Sequence, residues 1–179
     1  MTRKSAAAIR LLILDVDGTM TDGRLHYGPL GEEMKSFHVR DGLGIKHLDD
    51  AGIEVAVISG RRSKMVAARC RELGVEHVIQ GAEDKVLAFE KLRTRLKIDA
   101  SESACVGDDL TDVPLMNVVE LAFAVADAHR DAIHAADVVT SLPGGHGAVR
   151  EVCDYLLDAR KPGLRQRPAA VAAKFKNKA

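Results

Sequence analysis

The chain has no tryptophan, two tyrosines and four phenylalanines, so aromatic residues make up only 3% of its 179 positions. That scarcity counts against a surface that stacks nucleic-acid bases, and no nucleic-acid partner is expected. No apolar run approaches the ~18 residues that cross a bilayer, so no membrane partner is expected either. The opening "MTRKSAAAIRLLILDVDG" begins basic and turns apolar, as a secretion signal does. Arg10 interrupts its apolar stretch, however, and acids rather than small residues end it. Residues 1–10 read instead as an N-terminal tail leading into a first strand. Cysteines are few, odd in number and far apart (Cys70, Cys105, Cys153), which excludes a disulfide framework or a zinc site and favours a reducing cytoplasm. The seven histidines show no metal-binding spacing. Net charge is also lacking, but its zero sum hides an asymmetry: Arg160 to Ala179 carries seven basic residues and no acid. Residues 161–179, which include Pro162 and Pro168, read as a basic, flexible C-terminal tail.

Between these ends the pattern is regular. Apolar runs rich in β-branched residues recur at Ile9–Asp15, Ile53–Ser59, Glu76–Ile79, Ala104–Asp108, Leu121–Val125 and Asp137–Thr140. Segments of helical periodicity lie between most of them. One begins at Asp41, a candidate N-cap, and ends near Gly52; a second is closed by Gly74; a third carries Val86, Phe89, Leu92 and Leu96 on one stripe. Continuous apolar strands alternating with amphipathic helices predict an α/β fold with a central parallel sheet covered on both faces.

Ligands of such sheets collect at the carboxyl ends of the strands. The polar residues fall there. The first strand runs into Asp15 and Asp17, the second into Ser59, Gly60 and Arg61, and the fourth into Asp108 and Asp109, while Lys85 opens the helix after the third. Only the loop Gln80–Asp84 reads as a plain connector. Asp15, Asp17 and Asp108 crowded together need a cation, and oxygen ligands without histidine or cysteine favour magnesium. A phosphate monoester could complete its shell, gripped by Ser59 and Lys85. One aspartate could attack phosphorus, and the other could protonate the leaving oxygen and later activate water.

The motifs "DVDGT", "ISGR", the isolated Lys85 and "GDDLTD" resemble, in order and spacing, the four motifs of the haloacid dehalogenase (HAD) superfamily. The resemblance implies a three-layer Rossmann-like fold over residues 11–160. It makes Asp15 the nucleophile and Asp17 the general acid/base. Magnesium would be held by Asp15, the backbone carbonyl of Asp17 and Asp108, with Thr19, Asp109 and Asp112 supporting those ligands from behind. Ser59 and Lys85 would grip the phosphoryl group.

Many members of that superfamily insert a cap domain; here the segment from about 24 to 39 has room only for a protruding β-hairpin turning at Pro29-Leu30-Gly31. An uncapped site has little surface of its own for choosing a small substrate. The hairpin's free edges invite pairing with other copies, so a homo-oligomer whose subunits roof each other's sites is expected. "FHVRDGLGIKHL", "VISGRRSKMVAARCRELGV", "VGDDLTDVPLM", "AVADAH" and "GGHGAVREVCDYLL" resemble a narrower group, the phosphatases of 3-deoxy-D-manno-octulosonate (KDO) 8-phosphate. These are cap-less, tetrameric enzymes of lipopolysaccharide-precursor synthesis. That resemblance implies contacts from His38, Val39, Arg40, Asp41, Gly42, Lys46, Arg61 and Arg69 to a phosphorylated sugar acid, together with Asp17 and Lys85. A substrate carrying both carboxylate and phosphate needs cations at two separated places. Related phosphatases of nine-carbon sialic-type acids carry glutamate at the position of Arg62, so the cation here favours the eight-carbon acid. Two other readings compete: a phosphatase for such a nine-carbon acid 9-phosphate, and a silent oligomerisation module. Retention of Asp15 and Asp17 counts against the module.

Overall fold

The computed structural model describes residues 3–160. The sequence reading of residues 161–179 as a basic tail lies outside them. Six parallel strands form one sheet in the order β5-β4-β1-β6-β7-β8. They are β1 (Leu11–Leu14), β4 (Glu54–Ser59), β5 (His77–Gln80), β6 (Ser103–Gly107), β7 (Leu121–Ala124) and β8 (Val138–Val139). β2 (His26–Gly28) and β3 (Gly31–Met34) pair antiparallel as a separate hairpin.

Alternation along each strand builds two cores, because successive side chains point to opposite faces. Leu12, Leu14, Val55, Val57, Val106 and Phe123 face one cluster. It is covered by α1 (Arg3–Ala8), α2 (Val39–Asp50), α3 (Lys64–Leu73) and α7 (Ala148–Arg160). Leu11, Ile13, Ala56, Ile58, Cys105 and Ala122 face the other cluster. There α4 (Lys85–Leu96), α5 (Val113–Met116) and α6 (Arg130–Ala135) cover the sheet, with Phe89 and Leu92 of the expected α4 stripe fully inside. The fold is therefore the expected three-layer α/β sandwich. β1 lies at the switch point, since the chain leaves it toward β4 on one side and returns through β6 on the other.

Two local expectations need correction. Residues 1–10 are more than a tail, because α1 packs on α7 and both Ala6 and Ile9 are buried in the first core. Asp41 does not cap α2; the helix starts at Val39, and His38 Nδ1 accepts from the Arg40 amide at 3.3 Å. Asp41 instead turns inward, and its Oδ1 accepts from the Arg150 amide at 2.8 Å, satisfying an open N–H in the first turn of α7. Gly52 and Gly74 close their helices as read, with φ of 70° and 79°.

The glycines before α7 bring two loops into contact. A β-carbon on Gly144 would sit 1.6 Å from the Gly18 carbonyl oxygen, so only glycine fits. Gly145 donates its amide to the Thr19 carbonyl at 3.0 Å, and Asp127 Oδ1 accepts from the Gly144 amide at 2.9 Å. The segment "GGHG" thus packs its backbone against the chain's own loop after β1. Gly144→Ala should force the loops apart at a cost of about 2 kcal/mol, lowering Tm by roughly 4–8 °C in calorimetry. Gly60→Ala, whose β-carbon would meet nothing nearer than 3.7 Å, should leave Tm nearly unchanged.

Candidate active site

The end of β1 is shaped by one turn. The amides of Thr19, Met20 and Thr21 all converge on the Val16 carbonyl, at 3.2, 2.9 and 3.0 Å. Gly18, at φ 94°, lets the chain reverse there. A β-carbon on Gly18 would lie 2.0 Å from Asp108 Oδ2, so the turn also brings the β6 end against the β1 end. The result is an open cavity of about 650 Å³ lined by Asp15, Asp17, Ser59, Arg61, Lys85 and Asp108, among others.

Lys85 is the electrostatic centre. Its ammonium donates to Asp15 Oδ1 and to Asp112 Oδ1, both at 2.6 Å, with all three side chains buried. Burial works against that charge, but the two carboxylates outweigh it and raise the Lys85 pKa. Asp112 uses its other oxygen to accept from the amides of Asp108 and Asp109, at 3.1 and 3.2 Å. Thr19 Oγ1 donates to Asp108 Oδ1 at 3.2 Å. Ser59 Oγ accepts from the Arg61 amide at 3.4 Å, which keeps the hydroxyl at the cavity wall.

Asp15, Asp108 and Asp112 present carboxylate oxygens all within 4.8 Å of one another. Burial and the neighbouring Asp112 push Asp15 up to about 6, against the pull of Lys85. Burial, Asp15 and Asp112 push Asp108 up to about 8. One ammonium does not balance three carboxylates, and an all-oxygen set of this charge fits a hard divalent cation. Both oxygens of Asp112 are already engaged, by Lys85 and by two backbone amides. Asp15 and Asp108 are therefore the better-placed side-chain ligands of the three.

The remaining expected residues divide into two groups. Arg61 reaches the cavity, with Nε 3.6 Å from Asp17 Oδ2 and Nη2 donating to the Tyr27 hydroxyl at 2.7 Å. Asp109 lines the wall. His38, Val39, Arg40, Asp41, Gly42, Lys46 and Arg69 are not among the cavity residues. Val39, Arg40 and Lys46 are exposed, whereas Asp41 and Gly42 are buried. Arg69 packs beneath α2, where a β-carbon on Gly42 would strike its Nη2 at 2.4 Å, and pairs with Glu72 at 2.9 Å. Asp41 Oδ2 and Arg69 Nε are both buried without a hydrogen-bond partner.

The structure also adds residues. Lys35, on the hairpin's return, has a side chain only 1% exposed and donates to Asp17 Oδ1. Its buried stem was invisible in "EEMKSFHV", where a lysine beside two glutamates reads as solvated. The loop Gln80–Asp84 is not a plain connector, because Ala82, Glu83 and Asp84 form cavity wall and Gln80 Oε1 accepts from the Ser63 amide at 2.6 Å. The cysteines are buried and unpaired, and burial pushes Cys70 up to about 11 and the other two higher still. They are core residues, as the sequence suggested for Cys105.

Residues 77–150 match the haloacid dehalogenase-like hydrolase family model. The chain is 53% identical over 155 residues, covering 87% of it and 82% of the relative, to 3-deoxy-D-manno-octulosonate 8-phosphate phosphatase KdsC of Escherichia coli K12. It is similar to the crystal structure of that phosphatase from Yersinia pestis, with TM-score 0.86, 49% identity and coverage of 88% and 85% of the two chains. It is also similar to the Moraxella catarrhalis enzyme in complex with magnesium, phosphate and KDO, with TM-score 0.87, 38% identity and 97% of each chain covered. Identity of this extent, over a fold and a carboxylate-lysine cavity of this kind, places the chain in the 3-deoxy-D-manno-octulosonate 8-phosphate phosphatase family of haloacid dehalogenase-like hydrolases.

Proposed function

We propose that the chain is a magnesium-dependent phosphomonoesterase that hydrolyses KDO 8-phosphate to KDO and phosphate. The observation that carries this reading is the convergence of Asp15, Asp17, Ser59, Lys85 and Asp108 on one cavity in a chain 53% identical to a phosphatase of that name. Lys85 holds Asp15 Oδ1, leaving Oδ2 to attack phosphorus. The new Oδ2–P bond forms as the bond from phosphorus to the sugar oxygen breaks, and Asp17 gives that oxygen a proton. Asp17 then takes a proton from water, whose oxygen attacks phosphorus and releases phosphate from Asp15. Lys85 and Ser59 supply positive charge and a hydroxyl donor to the phosphoryl oxygens throughout. Magnesium, held by Asp15, the Asp17 carbonyl and Asp108, would neutralise the anions that must approach one another. Asp112, Asp109 and Thr19 fix the orientation of those ligands.

Recognition of the sugar acid falls to Arg61 at the cavity and to His38, Val39, Arg40, Asp41, Gly42, Lys46 and Arg69. Those on α2 and α3 lie outside the cavity of a single chain, so we assign the exposed ones, Val39, Arg40 and Lys46, to action across a subunit boundary, with Asp41, Gly42 and Arg69 packed behind them. Apolar exposure on the hairpin and α2 supports a homotetramer: Leu30 is fully exposed, and Tyr27, Met34, Val39 and Leu43 are between 49% and 77% exposed. The unit responsible is residues 11–160 with α1 packed onto it. A cytoplasmic location suits three unpaired cysteines, and among the described residues no helix is long and apolar enough to cross a membrane.

Three outcomes test this reading. Asp15→Asn should lower kcat for KDO 8-phosphate by on the order of 10⁴ or more while circular dichroism stays unchanged; residual turnover near wild type would remove Asp15 as nucleophile. Because the Asp15 and Asp108 carboxyls sit above their unfolded values, at about 6 and about 8, the cation-free fold holds protons that the unfolded chain has released. The ionic penalty on the fold is absent below about pH 4 and grows as pH rises through 6 to 8. Magnesium must displace those protons, so the Tm gain it produces should increase from pH 5.5 to pH 8; a gain independent of pH would contradict the assignment. Finally, Leu30→Asp combined with Met34→Asp should convert tetramers to smaller species in light scattering, and an unchanged mass would sink the hairpin interface.

A further inference from the structure

The hairpin does something besides offering an apolar surface. Lys35 lies one residue beyond β3, and its four-carbon stem is buried to the point that 1% of the side chain remains exposed. Burying a lysine sacrifices roughly 1.5–2 kcal/mol of rotamer freedom, and lysines are almost never buried without a partner. The ammonium donates to Asp17 Oδ1. On the other side, Arg61 Nε faces Asp17 Oδ2 at 3.6 Å, and Arg61 Nη2 is itself held by the Tyr27 hydroxyl at 2.7 Å. Each oxygen of Asp17 therefore faces a cation, one carried by the hairpin and one steadied by it.

A hairpin of two short strands thus fixes a cavity carboxyl that the sheet alone leaves at the end of a turn. A general acid must lie within about 2.6–3.2 Å of the oxygen it serves. A displacement of about 1 Å can cost roughly a hundredfold in rate. We propose that Lys35 is a positioning residue of the reaction, which together with Arg61 and Tyr27 clamps the Asp17 carboxyl toward the leaving oxygen. The hairpin then governs departure of the leaving group as well as the contacts between copies. The inference rests on the reading of Asp17 as acid/base and goes beyond it by assigning the residues that aim it.

The test separates aiming from binding and from folding. Holoenzyme in saturating magnesium is assayed on phosphate monoesters without a carboxylate, graded from p-nitrophenyl phosphate through less acidic phenols to ethyl phosphate. In each case kcat/KM reports only steps up to cleavage of the substrate P–O bond. An ethoxide needs a proton as it leaves and a nitrophenolate does not. Wild type should show a shallow dependence on leaving-group acidity and Asp17→Asn a steep one. Lys35→Met should lose about tenfold on ethyl phosphate, part of the ~10²–10⁴ a general acid supplies, and less than about twofold on p-nitrophenyl phosphate. Lys35→Arg, which keeps the charge, should restore most of the loss. Tyr27→Phe removes only a hydroxyl from a residue 63% exposed, so it keeps the test available if Lys35→Met does not fold; it should steepen the dependence by about threefold across the series.

A parallel loss on every ester would make Lys35 merely structural. A shallow slope retained in Lys35→Met, with turnover lost only on KDO 8-phosphate, would make it a substrate contact. Either result overturns the clamp. If Asp17→Asn itself keeps the shallow slope, the acid/base reading of Asp17 falls and the clamp falls with it. A steep slope in Asp17→Asn beside a wild-type slope in Lys35→Met strikes the clamp alone.

Discussion

Everything at the β1 end is arranged around the repulsion among Asp15, Asp108 and Asp112. Two like charges 4 Å apart repel by roughly 4 kcal/mol at an effective dielectric of about 20, and these three carboxylates bring ligand oxygens within 4.8 Å of one another. Lys85 offsets part of that cost with two bonds of 2.6 Å. Removing one partner of such a buried set costs about 3–5 kcal/mol, so the ammonium is structural before it is catalytic. Burial first, and the negative charge that Lys85 leaves unbalanced second, raise the carboxyl pKa values of Asp15 and Asp108, and a divalent cation would relieve the second of these. The same lysine that lets the sheet close over three acids stops short of neutralising them.

That electrostatic demand explains the backbone around it. Asp112 can serve Lys85 with one oxygen because its other is spent on the Asp108 and Asp109 amides. The loop after β6 is thereby wound around its own last carboxylate. Gly18 lets Asp108 approach the β1 turn, and Gly144 lets the segment before α7 press on Gly18 from outside. Asp41 ties the first turn of α7 to α2 through the Arg150 amide. A path of hydrogen bonds therefore runs from α2, through α7 and its glycine loop, to Thr19 and Asp108.

The parts that could be read in the sequence were those with local periodicity or a fixed order along the chain. Strand alternation, the Gly52 and Gly74 helix ends, and the Asp15, Asp17, Ser59, Lys85 and Asp108 set all depend on neighbours a few residues away or on a strand-end rule. Features set by distant partners were missed. Asp41 has the composition of an N-cap, and only the open amide of Arg150, remote in sequence, shows which helix it serves. Lys35 looks like a solvated hairpin charge until Asp17 is placed beside it. Residues 1–10 look like a tail because a helix of six residues has too little periodicity to be recognised, and its burial comes from α7. Gln80–Asp84 carries no motif; it becomes cavity wall because Lys85, which follows it, must point inward.

The geometry also divides the labour of a cap-less enzyme. The groups assigned to bond making and breaking are assembled within one chain, on rigid strand ends and one buried helix start. Most groups assigned to the sugar acid are not: apart from Asp17, Arg61 and Lys85 they sit at the head of α2, along it or on α3, away from the cavity. The hairpin connects the catalytic end of the sheet to a surface suited to self-association. Its outer face carries Leu30 and Met34 in solvent, and its inner edge carries Lys35 against Asp17. If copies pack through that outer face, the hairpin's position is set by assembly, and its grip on Asp17 is set with it. A catalytic unit that lacks a cap of its own would then be completed twice by its neighbours, once in the wall that reads the substrate and once in the aim of the acid that releases it.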